Sequence, residues 1–432
     1  MTQNQNIFNN LQETSKKVDK LASQCVKCAL CLPHCPTYTL TKDENESPRG
    51  RIALFQAVAQ AKLPLNAELN QHLDLCLGCR ACERVCPAHV EYGELLIEGR
   101  SMNNQLSPSL PLPKKPFSTR ILSYLLTKNK WLRYLPSILW TIEKSKIRAL
   151  AKKLRLPTLF GLEQLEAILP PIPKPFHFAS FYPALGEAKG TVALFSGCVS
   201  SWCDQQTLWA TISVLRRWGM NVHLPQGQTC CGAIALHAGE LAQALQLAQK
   251  NQQVFDDPQF DHIITVATGC SAVLQGLDPT IADFSSKIID IMDFLAQQPW
   301  PQDLALQPVP CRVMIQTPCT RRNVLKTPLS VEAVLSKIPE IAYQHFSSPD
   351  CCGAAGTYML DHPTVAEQLA LKLLSTLPPP LSPPMDPIDF IATTNIGCAL
   401  HLANHLKNPT FSAYGAIQVG HPITLLAKAL DF

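Results

Sequence analysis

Two cysteine runs of the same spacing dominate the chemistry open to this chain: Cys25-x2-Cys28-x2-Cys31-x3-Cys35-Pro36 and Cys76-x2-Cys79-x2-Cys82-x3-Cys86-Pro87. Three thiolates two residues apart wrap one iron–sulfur cluster, and the fourth, a step further on, points to a neighbouring cluster. The spacing therefore predicts Cys25, Cys28, Cys31 and Cys86 around one [4Fe–4S] cluster. Cys76, Cys79, Cys82 and Cys35 are expected around a second. Iron held wholly by thiolates has no open position for a substrate, so such a module is a wire rather than a catalytic centre.

A second set of cysteines repeats over a longer interval. Cys198, the pair Cys230-Cys231 and Cys270 recur as Cys319, Cys351-Cys352 and Cys398. The first cysteine and the pair are separated by 31 residues in both copies, the pair and the last cysteine by 38 and 45. Gly269 and Gly397 stand just before the last thiols, where the absence of a side chain allows close approach to a bulky ligand. Four thiols per copy are enough for a further cluster, but buried cysteine is also a common small hydrophobe. Two readings therefore stand for this set, metal or cluster binding and structural thiols. Cys203 and Cys311 have no counterparts in the duplication, and His237, His401 and His405 read as surface or core histidines rather than ligands.

The elements that must position these thiols follow from pattern. Between the two short-spaced runs lie 40 residues with helical patterns at 51–62 and 67–75, which predicts a helical module rather than a compact β-rich one. Ser47-Pro48-Arg49-Gly50-Arg51 is a helix start whose arginines either lie in solvent or offset cluster charge. Around the longer repeat, strand-like runs at 191–195, 222–224 and 262–267 alternate with helical ones, and 312–316, 341–346 and 388–392 restate them. Ligands of doubly wound sheets gather beyond the carboxyl ends of the strands, which is where the single cysteines fall. The seven-residue excess of the second copy fits the proline-rich stretch 377–387, read as a surface loop.

Composition agrees with a globular chain: 432 residues, 46% hydrophobic and 16% charged, with a net charge of +4 too small to argue for nucleic acid. Eighteen cysteines in a chain this long, after a polar start from Met1 to Lys20, suggest reduced thiols and a cytoplasmic setting rather than disulfides. No apolar run approaches the ~18 residues of a membrane span. No G-x-G-x-x-G opens a helix and there is no phosphate loop, so no dinucleotide of its own is expected. The fold class read from all this is α+β and multi-domain. An α-helical two-cluster ferredoxin domain (1–100) and a basic, proline-containing helical linker (101–185) precede two duplicated α/β domains (186–300 and 301–432).

Several stretches carry a resemblance: Ser47 to Arg51, Pro318-Cys319-Thr320, Cys351-Cys352-Gly353-Ala354-Ala355-Gly356-Thr357-Tyr358, and Asn395-Ile396-Gly397-Cys398 before His401-Leu402. Through them nearly the whole chain resembles the iron–sulfur subunit of bacterial glycolate oxidase. That family lies within the wider group with cysteine-rich "CCG" domains, which includes the B subunit of heterodisulfide reductase and the C subunit of anaerobic glycerol-3-phosphate dehydrogenase. The resemblance implies a subunit of an oxidoreductase complex that is not catalytic alone. A flavoprotein partner would oxidise a 2-hydroxy acid, and this chain would pass electrons toward quinone or another membrane acceptor. D-lactate and glycerol 3-phosphate are the alternative substrates, and thiol–disulfide reduction the alternative chemistry. Modules of the heterodisulfide reductase type end in Cys-x-x-Cys, whereas here Val273 and His401 stand where the fifth thiol would be.

The linker has its own signal. From Lys114 to Arg155 there are twelve lysines and arginines against one acid, Glu143, with Trp131, Tyr134, Leu135, Ile138, Leu139 and Trp140 interleaved. Such a stretch suits either peripheral contact with the inner face of the cell membrane or packing on a partner subunit.

Overall fold

A computed structural model describes residues 3–107, 115–127, 135–276, 281–301, 304–379, 388–414 and 416–431. Trp131 and Tyr134 of the linker, and residues 380–387 of the proline-rich stretch, lie outside the described residues.

The first hundred residues fold as helices: α1 (Gln3–Ala22), α2 (Pro36–Thr41), α3 (Pro48–Ala59), α4 (Ala67–Asp74), α5 (Ala81–Arg84) and α6 (Tyr92–Leu106). The start of α3 has a local cause. Ser47 accepts a 3.0 Å hydrogen bond from the Gly50 N–H, and Pro48 fills the first turn, where its missing N–H costs nothing. Val18, Phe55, Leu73, Leu95 and Met102 form the buried centre of this module. Gly99 is required there, because a Cβ would lie 2.4 Å from the Phe55 ring.

The linker contributes α7 (Phe117–Thr127), α8 (Leu135–Lys144), α9 (Ile147–Lys153), α10 (Leu156–Leu159) and α11 (Glu163–Ile168). After it come β1 (Phe181–Tyr182), β2 (Gly190–Phe195), α12 (Ser200–Cys203), α13 (Gln205–Arg217), β3 (Met220–His223), α14 (Ala233–His237) and α15 (Leu241–Phe255). The first repeat closes with β4 (His262–Thr265), α16 (Thr268–Gly276), α17 (Ala282–Lys287), β5 (Ile288–Asp290) and α18 (Ile291–Gln297). The second comprises β6 (Cys311–Gln316), α19 (Ser330–Leu335), β7 (Ile341–His345), α20 (Tyr358–Asp361), α21 (Pro363–Leu374), β8 (Phe390–Thr393), α22 (Ile396–His405), β9 (Gln418–Gly420) and α23 (Ile423–Ala429).

The sheets state the duplication directly. Their orders are β1-β3-β2-β4-β5 and β7-β6-β8-β9, with all pairs parallel except the added edge strand β1. Strand alternation predicted the central strands, and the structure adds β1, β5 and β9, each of three residues or fewer. The helix expected after Cys319 is short. A π-turn at Arg321–Leu325 ends with Lys326 in the left-handed region (φ 59°), and helix resumes only at Ser330.

The two repeats share one apolar core, in which α13 of the first packs on α23 of the second and α18 packs on α19. Across this seam the fully buried Arg321 pairs with Asp290 and, at 2.5 Å, with Asp293, and reaches Thr394 at 3.1 Å.

Candidate metal centres

The two short-spaced loops share a backbone design. Lys27 and Ala29 after Cys25, and Gly78 and Arg80 after Cys76, all take positive φ, at 57°, 70°, 64° and 56°. Three of the four are not glycine, so each loop holds a conformation that costs roughly 1–2 kcal/mol per such residue. Its benefit is that backbone N–H groups turn toward sulfur: Gly78 donates to Cys76 at 3.4 Å, and the amides of Ala81 and Arg49 face Cys79 and Cys31.

The thiols group across the runs. One cavity is lined by Cys25, Cys28, Cys31 and Cys86, with Cys82 also at its wall. Cys35 lies instead among Cys76, Cys79 and Cys82. Among the described residues no three of these side chains close to the distance of a single-ion site. Without metal, burial pushes Cys31 up to about 11, and Cys79 and Cys82 well above the ordinary thiol range. Iron binding must therefore displace protons.

The Ser47–Arg51 segment serves both groups. Arg51 is buried with Glu46 and donates to His72 O at 2.8 Å and Thr37 Oγ1 at 3.0 Å. Its cation faces Cys76 and Cys35, so it offsets charge at the inner group. Arg49 stays near the surface, pairs with Glu44 and reaches the Lys27 carbonyl at 3.2 Å. Of the two expectations for these arginines, Arg51 follows the charge-offsetting one and Arg49 lies between them.

In each repeat the four thiols meet. Cys198 and Cys230 lie 3.5 Å apart, and Cys231 touches both Cys230 and Cys270. In the second, Cys352 and Cys398 lie 2.7 Å apart, and Cys351 joins Cys319 to Cys352. Hydrogen bonds from Cys198 and Cys231 hold Cys230 well below the ordinary thiol range, while its neighbours are raised. The pair glycines are required by geometry. Gly353 sits at φ 86° with the Ala366 carbonyl 2.6 Å from where a Cβ would lie, and Gly232 at φ 91° faces Ala244 O at 3.1 Å. Cys203 is half-buried in α12 and Cys311 lies in β6, both apart from the two sets.

The second set adjoins the helical module. The Cys79 thiol faces Cys319 and Cys351, and its carbonyl accepts from Asn323 Nδ2 at 2.7 Å. Two further residues seat the loop before Cys79. Tyr358 donates to Leu75 O at 3.1 Å, and Arg100 bridges Cys76 O at 2.6 Å and His237 O at 3.0 Å.

His237 occupies a junction that spacing did not disclose, since a Cβ on Gly78 would lie 3.1 Å from its ring and Gly356 is also adjacent. Burial, with Arg100 and Lys115 nearby, lowers it to about 4. His401 is a core residue whose Nε2 lies 3.1 Å from Ala366 O, and it stacks edge-on with His405.

Comparison with known proteins follows the same division. A family model described as a 4Fe-4S dicluster domain matches residues 21–90, and one described as a cysteine-rich domain matches 192–275 and 313–403. The chain is 32% identical to the probable glycolate oxidase iron-sulfur subunit of Bacillus subtilis, covering 94% of this chain and 93% of the relative. It is 30% identical to the glycolate oxidase iron-sulfur subunit of Escherichia coli over 96% of both. One subunit of the fumarate reductase (CoM/CoB) of Methanothermobacter marburgensis is 28% identical over 58% of this chain and 48% of its own length.

Proposed function

The chain belongs to the family of glycolate oxidase iron–sulfur subunits, and we propose that it carries electrons from a flavoprotein subunit oxidising a 2-hydroxy acid, glycolate first among them, toward a quinone or another acceptor at the membrane. The observation that carries this reading is the packing of Cys79, together with Cys319, against the core that holds Cys351 and Cys352, which brings the thiols of the helical module beside those of the second repeat. When bound, iron–sulfur clusters supply one-electron transfer at potentials set by charge, hydrogen bonding and exposure.

Cys25, Cys28, Cys31 and Cys86 would hold the outer [4Fe–4S] cluster, and Cys76, Cys79, Cys82 and Cys35 the inner one. Cys198, Cys230, Cys231 and Cys270, with Cys319, Cys351, Cys352 and Cys398, would hold further clusters in the repeats. The chain's own residues divide the work. Cys28 is exposed between the exposed apolar Val26 and Leu30, a face open to an electron donor. Arg51 and the loop amides stabilise negative charge at the inner group. Asn323, Arg100 and Tyr358 fix the inner loop against the repeats. Flavin and substrate contacts belong to the partner, and the working protein is a complex on the cytoplasmic side. The places of a fifth thiol hold Val273 and a His401 turned toward Ala366, which disfavours disulfide reduction.

The test uses the anaerobically purified complex with its flavoprotein partner, offered glycolate, D-lactate and glycerol 3-phosphate in turn. Glycolate is expected to reduce the iron–sulfur EPR signals fastest. Signals that dithionite reduces but none of the three substrates does would sink the reading.

A further inference from the structure

Helices α9 and α10 of the linker reverse the usual amphipathic order. A helix on a globular protein buries its apolar stripe and exposes its charges. In α9 the inward residue is Arg148, bonded to Glu143 at 2.7 Å, Glu166 at 2.8 Å, and the carbonyls of Leu169 and Pro170 at 2.9 and 3.0 Å. The outward stripe is Ile147, Leu150 and Leu154, at spacings of three and four, and these are 56, 56 and 60% exposed. Leu159 and Phe160, at the end of α10, continue it at 75 and 60%. Lys152 also turns to Glu166, at 2.7 Å.

The charge around this face is mostly basic, with Glu163, three residues past Phe160, an exposed acid at its edge. Lys144, Lys146, Lys153 and Arg155 are exposed beside the stripe, and among the described residues none of them forms an ion pair with a carboxylate. The nearby acids Glu143 and Glu166 are already engaged by Arg148 and Lys152. The platform is firmly seated: Leu139 and Trp140 of α8 pack on the core around Cys198, Cys230 and Cys231, and Leu165 and Ile168 of α11 on the core around Cys351, Cys352 and Cys398. No helix among the described residues is long and apolar enough to cross a membrane.

We propose that the α9–α10 face docks on the surface of an anionic phospholipid bilayer. Ile147, Leu150, Leu154, Leu159 and Phe160 enter the headgroup boundary, while the four cations meet lipid phosphates. Apolar burial combined with attraction to anionic lipid is how such helices hold an interface without spanning it. The purpose of this docking rests on the relay reading, since it brings both repeats to a membrane acceptor, but vesicle binding is measured independently of electron flow.

The experiment is flotation of the full-length, iron-loaded protein with phosphatidylcholine vesicles containing about one-third phosphatidylglycerol, against pure phosphatidylcholine vesicles. The protein is expected to float with the anionic vesicles at low salt and to lose most of that binding at about 0.5 M salt, where exposed charges are screened. A variant carrying Leu154→Glu, Leu159→Glu and Phe160→Glu is expected to bind at least about tenfold less, because each change replaces buried apolar contact with like charge. Its visible absorbance and its reduction by dithionite should remain unchanged. No flotation of the native protein, or equal flotation of the variant, overturns the proposal. Loss of flavoprotein co-purification in the variant, with no vesicle binding by the native protein, would assign the face to the partner subunit and overturn it as well. Either failure leaves substrate-driven reduction, and hence the relay reading, to be judged separately.

Discussion

Asn323 donates a 2.7 Å hydrogen bond to the carbonyl of Cys79, joining the π-turn that follows Cys319 to the loop of the second ferredoxin-type run. The contact spans two modules beside the thiols of Cys79 and Cys319. Replacing Asn323 with leucine leaves that carbonyl without its partner at a buried seam, a loss of about 1–3 kcal/mol. Anaerobic urea unfolding of the iron-loaded protein should show an earlier midpoint with iron content unchanged. An unchanged midpoint would mean that the seam is held elsewhere.

Arg51 faces Cys76 and Cys35 and shares a buried site with Glu46. Arg51→Met should destabilise the helical module by about 3 kcal/mol, because buried Glu46 is left with only the His72 ring, at 2.6 Å, as a side-chain partner. Adding Glu46→Gln should recover much of that stability. Measured against Glu46→Gln alone, the double variant should show in potentiometric EPR titration one iron–sulfur signal at a more negative potential and the other unmoved, since the two proteins differ only in the Arg51 cation that faces the thiols of Cys76 and Cys35.

The duplicated glycines make a graded pair. At φ 86°, and with Ala366 O 2.6 Å from where the new Cβ would lie, Gly353→Ala demands backbone movement. Gly232→Ala meets the Ala244 carbonyl at 3.1 Å, a milder conflict at a similar φ of 91°. Thermal unfolding of the two variants should rank Gly353→Ala below Gly232→Ala, both losing at least about 1 kcal/mol from the left-handed backbone alone. The reverse order would contradict the geometry.

His421 supplies a pH dependence. Burial, aided by Arg321, holds it down to about 3, and its Nδ1 accepts from the Ile423 N–H at 3.2 Å. A histidine neutral when folded but protonated when unfolded costs stability as pH falls below its unfolded value of about 6.5. The loss continues down to the folded value, so at pH 5 this group alone removes about 2 kcal/mol relative to pH 7.5. His421→Gln should flatten that part of the stability–pH curve in anaerobic thermal scans. A slope unchanged by the substitution would show that the histidine titrates alike in the folded and unfolded chain.

Much of this architecture could be read from residue types and spacing. The cysteine runs give their loops because tight thiol spacing leaves few backbone routes around a cluster, and the repeat is visible because Cys198 to Cys231 and Cys319 to Cys352 hold the same interval. Short elements escape such reading: β5 and β9 have too few residues for alternation to register. The Arg321 pairing with Asp290 and Asp293 was not legible either, because it depends on how the repeats face one another. The same is true of His237 beside Gly78, and of Asp290 and His421. Each of those two follows or ends the last strand of its repeat, and its side chain accepts from the backbone N–H two residues on, at the start of the next helix.

The most direct test of the relay is iron and sulfide content with low-temperature EPR on anaerobically purified protein, native and Cys352→Ser. The account predicts substantially more than about eight irons per chain, the number two four-iron clusters supply. It also predicts a further signal that disappears in Cys352→Ser together with electron flow to the acceptor, while the signals of the helical module persist. About eight irons in both proteins, with electron flow unaffected by the substitution, would contradict it and confine the wire to residues 1–100.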